Sequence, residues 1–233
     1  MKSETITLND QIKPVVYPDA FDELREAWQL LGFTQQQSTI VIVGGAGGMS
    51  ADDVAKVQTF FEKHLIPFAQ SRHAAIIEGG TDSGVMAAIG RARNLTGANF
   101  PLVGVIARDV DGVGLMLEPH HTHFIFCPGN NWGDESEWIA AAASALSGSL
   151  PSIAIMINGG QITWGDARFN VQYGRTVLIA EGSGRTADVI AHTSTGLAFD
   201  PQAIALLRTG KVHVENFFKR PERFIEKLND LMK

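Results

Sequence analysis

The sequence predicts a doubly wound α/β fold, a mostly parallel sheet with helices on both faces, and three observations carry that expectation. From Ser38 onward, short runs rich in Val and Ile alternate with longer stretches of helical periodicity, the pattern of repeated βαβ units. Most of these runs are apolar at both alternations, as strands buried on two sides require. Glycine clusters follow four of them, where a strand must turn sharply into the next element.

The strands are predicted at 39–43, 74–78, 102–107, 123–126, 153–158 and 176–180. Ser50 is placed to cap a helix running toward His64, with Asp53 three residues on completing a capping-box-like start. Further helices are expected from near Ser83 and over 135–146, 163–173, 186–191 and 201–207. Residues 1–38 read as an N-terminal extension in which Phe21, Leu24, Trp28 and Leu31 share a helical stripe ended by Gly32, suited to covering a sheet edge or a neighbouring subunit. At the other end, 219–233 reads as an amphipathic helix whose Ile225, Leu228 and Met232 dock on the body. Residues 109–119, with two glycines and three acids, form the longest irregular stretch and are expected as a surface loop near the ligand site.

With 233 residues, 45% hydrophobic and 19% charged, the chain can bury one large core, so 1–233 is expected to be a single domain. A net charge of -6 without any long Lys or Arg run argues against duplex nucleic acid as a partner. A small anion remains admissible, because local loops bind it. The single cysteine, Cys127, cannot form an intrachain disulfide, and no apolar run reaches membrane-span length. The first residues lack the apolar core of a secretion signal, so the expected location is the cytoplasm, with no membrane partner.

Chemistry is expected at the glycine-rich turns Gly44-Gly45-Ala46-Gly47-Gly48, Gly79-Gly80-Thr81-Asp82-Ser83-Gly84, Gly159-Gly160-Gln161-Ile162-Thr163 and Gly182-Ser183-Gly184-Arg185. Unpaired N–H groups and the positive ends of helix dipoles converge at such turns, and the missing Cβ atoms let a phosphate approach. Four turns at the carboxyl ends of strands in one sheet would line one crevice. Gly45, Gly47, Gly79, Gly80, Thr81, Asp82, Gly84, Gly159, Gly160, Thr163, Gly182, Ser183, Gly184 and Arg185 are the candidate ligand contacts, the second and third turns weighing more than the first. Arg185 can fork onto a phosphate or pair with Asp188. Asn130, Asn131 and Trp132 offer amides and a stacking face, with Asp134 as a helix cap in the competing reading.

The blocks Glu78 to Met86, Pro119 to Phe124, Asn158 to Gly160 and Glu181 to Asp188, in that order, resemble the SLOG domain at the cytoplasmic N-terminus of melastatin-type TRP channels. The resemblance is strongest to the stand-alone prokaryotic LSDAT relatives and spans roughly Val41 to Ala191. It implies a Rossmann-like fold that binds or senses a nucleotide or nucleotide-derived ligand, such as ADP-ribose or an NAD derivative, with no cofactor required. The same resemblance suggests side-by-side packing of such domains, hence a homo-oligomer. It also implies that His121, with His120 and His123, enters a strand and hydrogen-bonds backbone or ligand; a metal at these three is not expected.

More distantly, Gly79 to Met86 and Asn158 to Asp166 are similar to the two glycine motifs of LOG-type nucleotide phosphoribohydrolases. Asn158, Ile162 and Asp166 stand where those enzymes carry proline, glycine and glutamate. Asp166 is accordingly the candidate catalytic residue for a hydrolase reading, with Glu78 as its alternate. The enzymes pair that glutamate with an arginine, whereas this chain has no Lys or Arg between Arg108 and Arg168. Without the cation, developing charge loses its partner, which favours binding or sensing.

Overall fold

The computed structural model describes residues 1–233 and contains nine strands in one sheet, ordered β1-β2-β6-β5-β4-β3-β7-β8-β9. The strands are β1 (Lys2–Leu8), β2 (Gln11–Tyr17), β3 (Thr39–Gly44), β4 (Ala75–Glu78), β5 (Leu102–Ala107), β6 (His123–Cys127), β7 (Ser152–Ile157), β8 (Thr176–Glu181) and β9 (Val212–Asn216). All neighbours run parallel except β1 against β2. The six strands expected from the apolar runs are the six at the centre.

In β3 the two-residue alternation is visible directly. Ile40 and Ile42 enter one core cluster and Val41 and Val43 the other. The helices are α1 (Leu24–Leu30), α2 (Ala51–Phe60), α3 (Ile66–Ser71), α4 (Gly84–Thr96), α5 (Ser136–Ser147), α6 (Gln161–Gln172), α7 (Arg185–Ser194), α8 (Pro201–Leu207) and α9 (Pro221–Leu231). Side chains of α1, α5, α6, α7 and α8 fill the first cluster, and those of α2, α3, α4 and α9 the second. The sheet is therefore wound on both faces.

Ser50 caps α2 as expected, accepting from the Asp53 N–H at 3.1 Å and donating to the Asp53 carboxylate at 2.8 Å. The helix then widens into a π turn over Phe61–Leu65 before α3. Pro67 lies at the start of α3, and a looser turn ahead of it accommodates the missing donor and the bulk of the ring. Of the expected C-terminal stripe, Leu228 and Met232 are buried and Ile225 is half-buried, while α9 also buries Phe224.

Three strands were not among those expected. The extension 1–38 carries the β1–β2 hairpin as well as α1, and its two-residue turn places Asn9 and Asp10 at φ 46 and 59, the double left-handed geometry matched to strand twist. At the far edge, β9 extends the sheet beyond β8. Residues 109–119 include a 3₁₀ turn (Val113–Leu115) and pack Val113 and Leu117 onto Phe124 and Phe126, while Leu115 is exposed. No helix is long and apolar enough to cross a membrane.

One contact fixes how α4 meets the neighbouring loop. The Val85 N–H donates to the Gly45 carbonyl at 3.1 Å, and a Cβ on Gly84, whose φ is +50, would lie 1.9 Å from that same oxygen. The Gly84→Ala variant is expected to lose about 3 kcal/mol of stability in urea unfolding. A midpoint unchanged from the native protein would show that α4 does not start against Gly45.

Candidate functional site

The four glycine loops leave adjacent strands. β4, β3, β7 and β8 stand side by side and, being parallel, end at one edge of the sheet. From β3 the chain builds outward through β4, β5 and β6, then returns to place β7 on the opposite side of β3. Such a switch point opens a crevice beyond the strand ends.

Asn158, just after β7, ties the crevice together. Its φ of 59 turns its backbone into the left-handed region, where asparagine is among the few side chains tolerated. The backbone N–H donates to Ser183 Oγ at 2.7 Å and Nδ2 donates to the Ser183 carbonyl at 2.7 Å, while Oδ1 accepts from the Gly159 N–H at 2.9 Å. Its carbonyl accepts from the Ala187 N–H at 2.9 Å, so the loops after β7 and β8 form one unit. The sequence carried this signal in the residue type, yet Asn158 was not among the candidate contacts.

Arg185 opens α7 at φ +50 and is exposed. Its Nη1 crosses the crevice and donates to the Gly47 carbonyl at 2.8 Å. The guanidinium lies against Gly48 and Gly160, where a Cβ would approach it to 3.0 Å. It forms no ion pair; the Asp188 carboxylate accepts from the Gly182 N–H at 2.6 Å instead. The N–H groups of Ala46, Gly47 and Gly48 donate to no protein acceptor. On the far wall, the Gly160 N–H donates to Thr163 Oγ1 at 3.0 Å, and the positive ends of α6 and α7 border the gap.

The second loop is drawn in part into the fold, while the N–H groups of Gly79, Thr81 and Gly84 donate to no protein acceptor. The Gly80 N–H donates to Glu78 Oε2 at 2.9 Å, and its carbonyl accepts from the Glu118 N–H at 2.9 Å. Thr81 bridges Leu117, the Asp82 N–H donates to the Met116 carbonyl at 2.7 Å, and the Asp82 carboxylate pairs with Arg91 at 2.9 Å. Space beside Gly84 is filled by the backbone of Gly45 and Ala46. Of this loop only Gly79 faces open space. Ser183 is likewise spent: its hydroxyl accepts from Asn158 and donates to the Ala180 carbonyl at 2.6 Å.

His121 departs furthest from its expected role. It lies in the turn before β6, is fully buried, and bonds both ring nitrogens to carboxylates: Nδ1 to Glu118 at 2.8 Å and Nε2 to Glu78. No face of the ring is left for a ligand. Burial opposes its charge, but Glu78 and Glu118 outweigh it and raise the imidazole pKa to about 9. Against the upward push of its own burial, Glu118 is held below the ordinary carboxylate range by His121 and His120. Gly90 makes room for the Glu118 carboxylate, which a Cβ would meet at 2.1 Å.

Asp166 lies on α6 but is 8% exposed, turned toward Ser136 and Glu135 at the start of α5. Burial raises its pKa to about 7, with Glu135 adding to the rise and Ser136 opposing it. Arg175 is buried in the framework, bonded to Ser152, Asn170 and Ser144. Cys127 is buried with its thiol pushed up by burial. In the loop after β6, Asp134 closes the turn by accepting from the N–H groups of Asn130 and Asn131 at 2.9 and 3.0 Å, leaving Trp132 exposed. Gly133 of that loop abuts Ile162 at the start of α6.

Fold and loops thus define a Rossmann-like α/β protein whose glycine turns and Arg185 meet at its switch point. Residues 37–226 match the family described as "SLOG in TRPM, prokaryote", and the chain belongs to that family. Among curated proteins it is 26% identical over 200 residues to the transient receptor potential cation channel subfamily M member 2 of Mus musculus, and 25% over 199 residues to that of Rattus norvegicus. The matches cover 67% and 66% of this chain but 13% of each channel. Among solved structures, the X-ray structure of TM1055 aligns with a TM-score of 0.59 at 16% identity, covering 83% of this chain and 99% of that one. The molybdenum cofactor binding protein from Rippkaea orientalis aligns at 0.58 with 11% identity, covering 86% and 99%. At these identities the structural likeness establishes the fold.

The buried histidine makes stability depend on pH. Folded His121 keeps its proton to about pH 9, whereas the free side chain loses it near 6.5. Its stabilisation is therefore complete below pH 6.5 and is lost as pH rises through 9, a change on the order of 3 kcal/mol. Urea unfolding is expected to show this decline in the native protein and a flatter profile in His121→Gln. Equal native stability at pH 6.5 and 9 would refute an imidazolium held between the two carboxylates.

Proposed function

We propose that this protein binds a nucleotide-derived, phosphate-bearing ligand in the crevice between the loops after β3 and β7. The observation that carries the reading is the Arg185 guanidinium, free of any carboxylate and held over the unspent N–H groups of Ala46, Gly47 and Gly48. A phosphate there would receive a bidentate charge-assisted contact from arginine and backbone donors from the loop, at the positive ends of α6 and α7. It would take over the N–H hydration now left to water, and Arg185 would exchange the Gly47 carbonyl for an anion. Trp132, exposed beside α6, offers a face on which a base can stack. The family assignment supports a nucleotide-related ligand of the ADP-ribose or NAD type, as does a structural neighbour whose name declares it a cofactor-binding protein.

Binding is favoured over hydrolysis. A carboxyl near neutrality suits a general acid, but Asp166 packs against α5 and not into the open crevice, and no cation accompanies it. Incubation with nucleotides should release no free base on chromatography. Turnover abolished by Asp166→Asn would reverse that assignment. The reading also takes the domain to act in the cytoplasm and to assemble with copies of itself, which sedimentation with and without ligand would show.

Isothermal titration with adenosine 5′-monophosphate, ADP-ribose, NAD and cyclic nucleotides tests the site. Arg185→Ala is expected to weaken binding of the best of these by about tenfold or more, the worth of one charge-assisted hydrogen bond. Equal affinity in the variant, or no binding of any at millimolar concentration, would overturn the assignment.

A further inference from the structure

The loop after β4 keeps donors that the fold does not use. The N–H groups of Gly79, Thr81 and Gly84 donate to no protein acceptor, and the Ser83 hydroxyl, at the head of the 13-residue α4, makes no capping bond. Thr81 is 7% exposed and its hydroxyl bonds no protein group. Because Ser136 Oγ is the one partnerless side-chain atom sealed from solvent, the Thr81 hydroxyl retains contact with water. The charge around these donors differs from that at Arg185. Arg91 at the rim is already paired with Asp82 at 2.9 Å, and the fully buried carboxylates of Glu78 and Glu118 lie beneath, on either side of His121. Donors set over carboxylates, with no free cation, favour an uncharged acceptor over an anion. The rim itself is apolar. Leu115 is 94% exposed and Met116 45%, on a turn pinned to the loop by the Asp82 N–H bond to the Met116 carbonyl at 2.7 Å and by the bridge between Thr81 and Leu117. A flat ring laid against these two side chains would remove both from water and give the Met116 sulfur an aromatic partner.

We infer that this loop seats a nucleobase of the ligand proposed above, its N–H groups and the Thr81 hydroxyl meeting ring nitrogens or carbonyls while Leu115 and Met116 cover the ring. The inference rests on that reading and assigns the uncharged end of the same ligand. The seat adjoins the phosphate site by direct contact: a Cβ on Gly84 would lie 1.9 Å from the Gly45 carbonyl oxygen and 2.9 Å from Ala46 Cα. β3 and β4 are neighbours in the sheet, so a phosphate over the first loop and a base over the second stand about one strand spacing apart, roughly 4.8 Å, which the ribose between them spans. Where the ligand carries two rings, Trp132, whose neighbour Gly133 abuts Ile162 of α6, is left for the other.

Titration of the full chain with ribose 5-phosphate and with the 5′-monophosphates of adenosine, guanosine and uridine tests this. At least one nucleotide is expected to bind about tenfold tighter than ribose 5-phosphate, which has no base. The double variant Leu115→Ser, Met116→Ser should erase most of that gain, and Thr81→Val should reduce it about fivefold, each with the urea midpoint of the native chain. If ribose 5-phosphate binds in an Arg185-dependent manner but no nucleotide gains on it, or the gain survives in full in either variant, the base seat is refuted and the phosphate site stands. If none of the four binds, both fall.

Discussion

A single amide at the end of β7 sets the position of everything that faces the crevice. Asn158 must satisfy two loops at once: its backbone and Nδ2 hold Ser183, its Oδ1 holds Gly159, and its carbonyl anchors the first turn of α7 through Ala187. Only a side chain carrying both a donor and an acceptor, and able to sit at positive φ, can do this. The consequence is that α7 begins directly over the neighbouring strands. Arg185, itself held at φ +50, is aimed back across β7 toward the loop after β3. Strain of that kind, of order 1 kcal/mol or more, persists where the surroundings over-determine it, and here it keeps a cation where anions can reach.

The glycines along this edge divide into two groups by what their backbone groups already do. Those of the second loop serve the fold: α4 starts on the Gly45 carbonyl, an acceptor well placed at a helix's positive end, and Gly80 is pinned above the buried carboxylates of Glu78 and Glu118. A phosphate there would find the Gly80 and Asp82 donors taken and two carboxylates beneath them. Those of the first loop keep their N–H groups unspent, because Gly47 and Gly48 span the open side of the crevice and touch only the arginine. Glycine content marks both loops equally. What separates them is charge: the carboxylates of Glu78 and Glu118 lie beneath the second loop, and the Arg185 guanidinium lies against the first.

That distinction explains what could be read from the sequence. The six central strands follow from runs apolar on both faces, and the Ser50 cap from its spacing to Asp53, since both signals are local. The outer strands β1, β2 and β9 are half-exposed and interleave polar side chains, and Pro14 lies within β2, so none shows a doubly apolar run. The Asn9-Asp10 turn was a readable hairpin signal that the helical stripe of 21–31 overshadowed. The site was legible as a set of loops and as one arginine. The partners were not, because they lie far along the chain: Gly47 is 138 residues from Arg185, and Glu78 is 43 residues from His121. His121 looked available because spacing within its own block gives no hint of the carboxylate waiting at the end of β4.

Charge placement bears on how an acidic protein could hold the proposed anion. The unpaired cations Arg185, Lys219 and Arg220 are gathered along the β3, β7 and β9 ends. Carboxylates near that edge are held by the fold: Glu78 and Glu118 flank the two ring nitrogens of His121, Asp188 and Glu181 accept from the Gly182 N–H and Asn216 Nδ2, and Glu215 is paired with Arg223. Asp166, on the helix whose start borders the loops, has no cation, and burial raises its pKa to about 7, close to its titration midpoint at neutral pH. A phosphate at this edge would meet Arg185, an exposed cation that forms no ion pair and bonds only the Gly47 carbonyl.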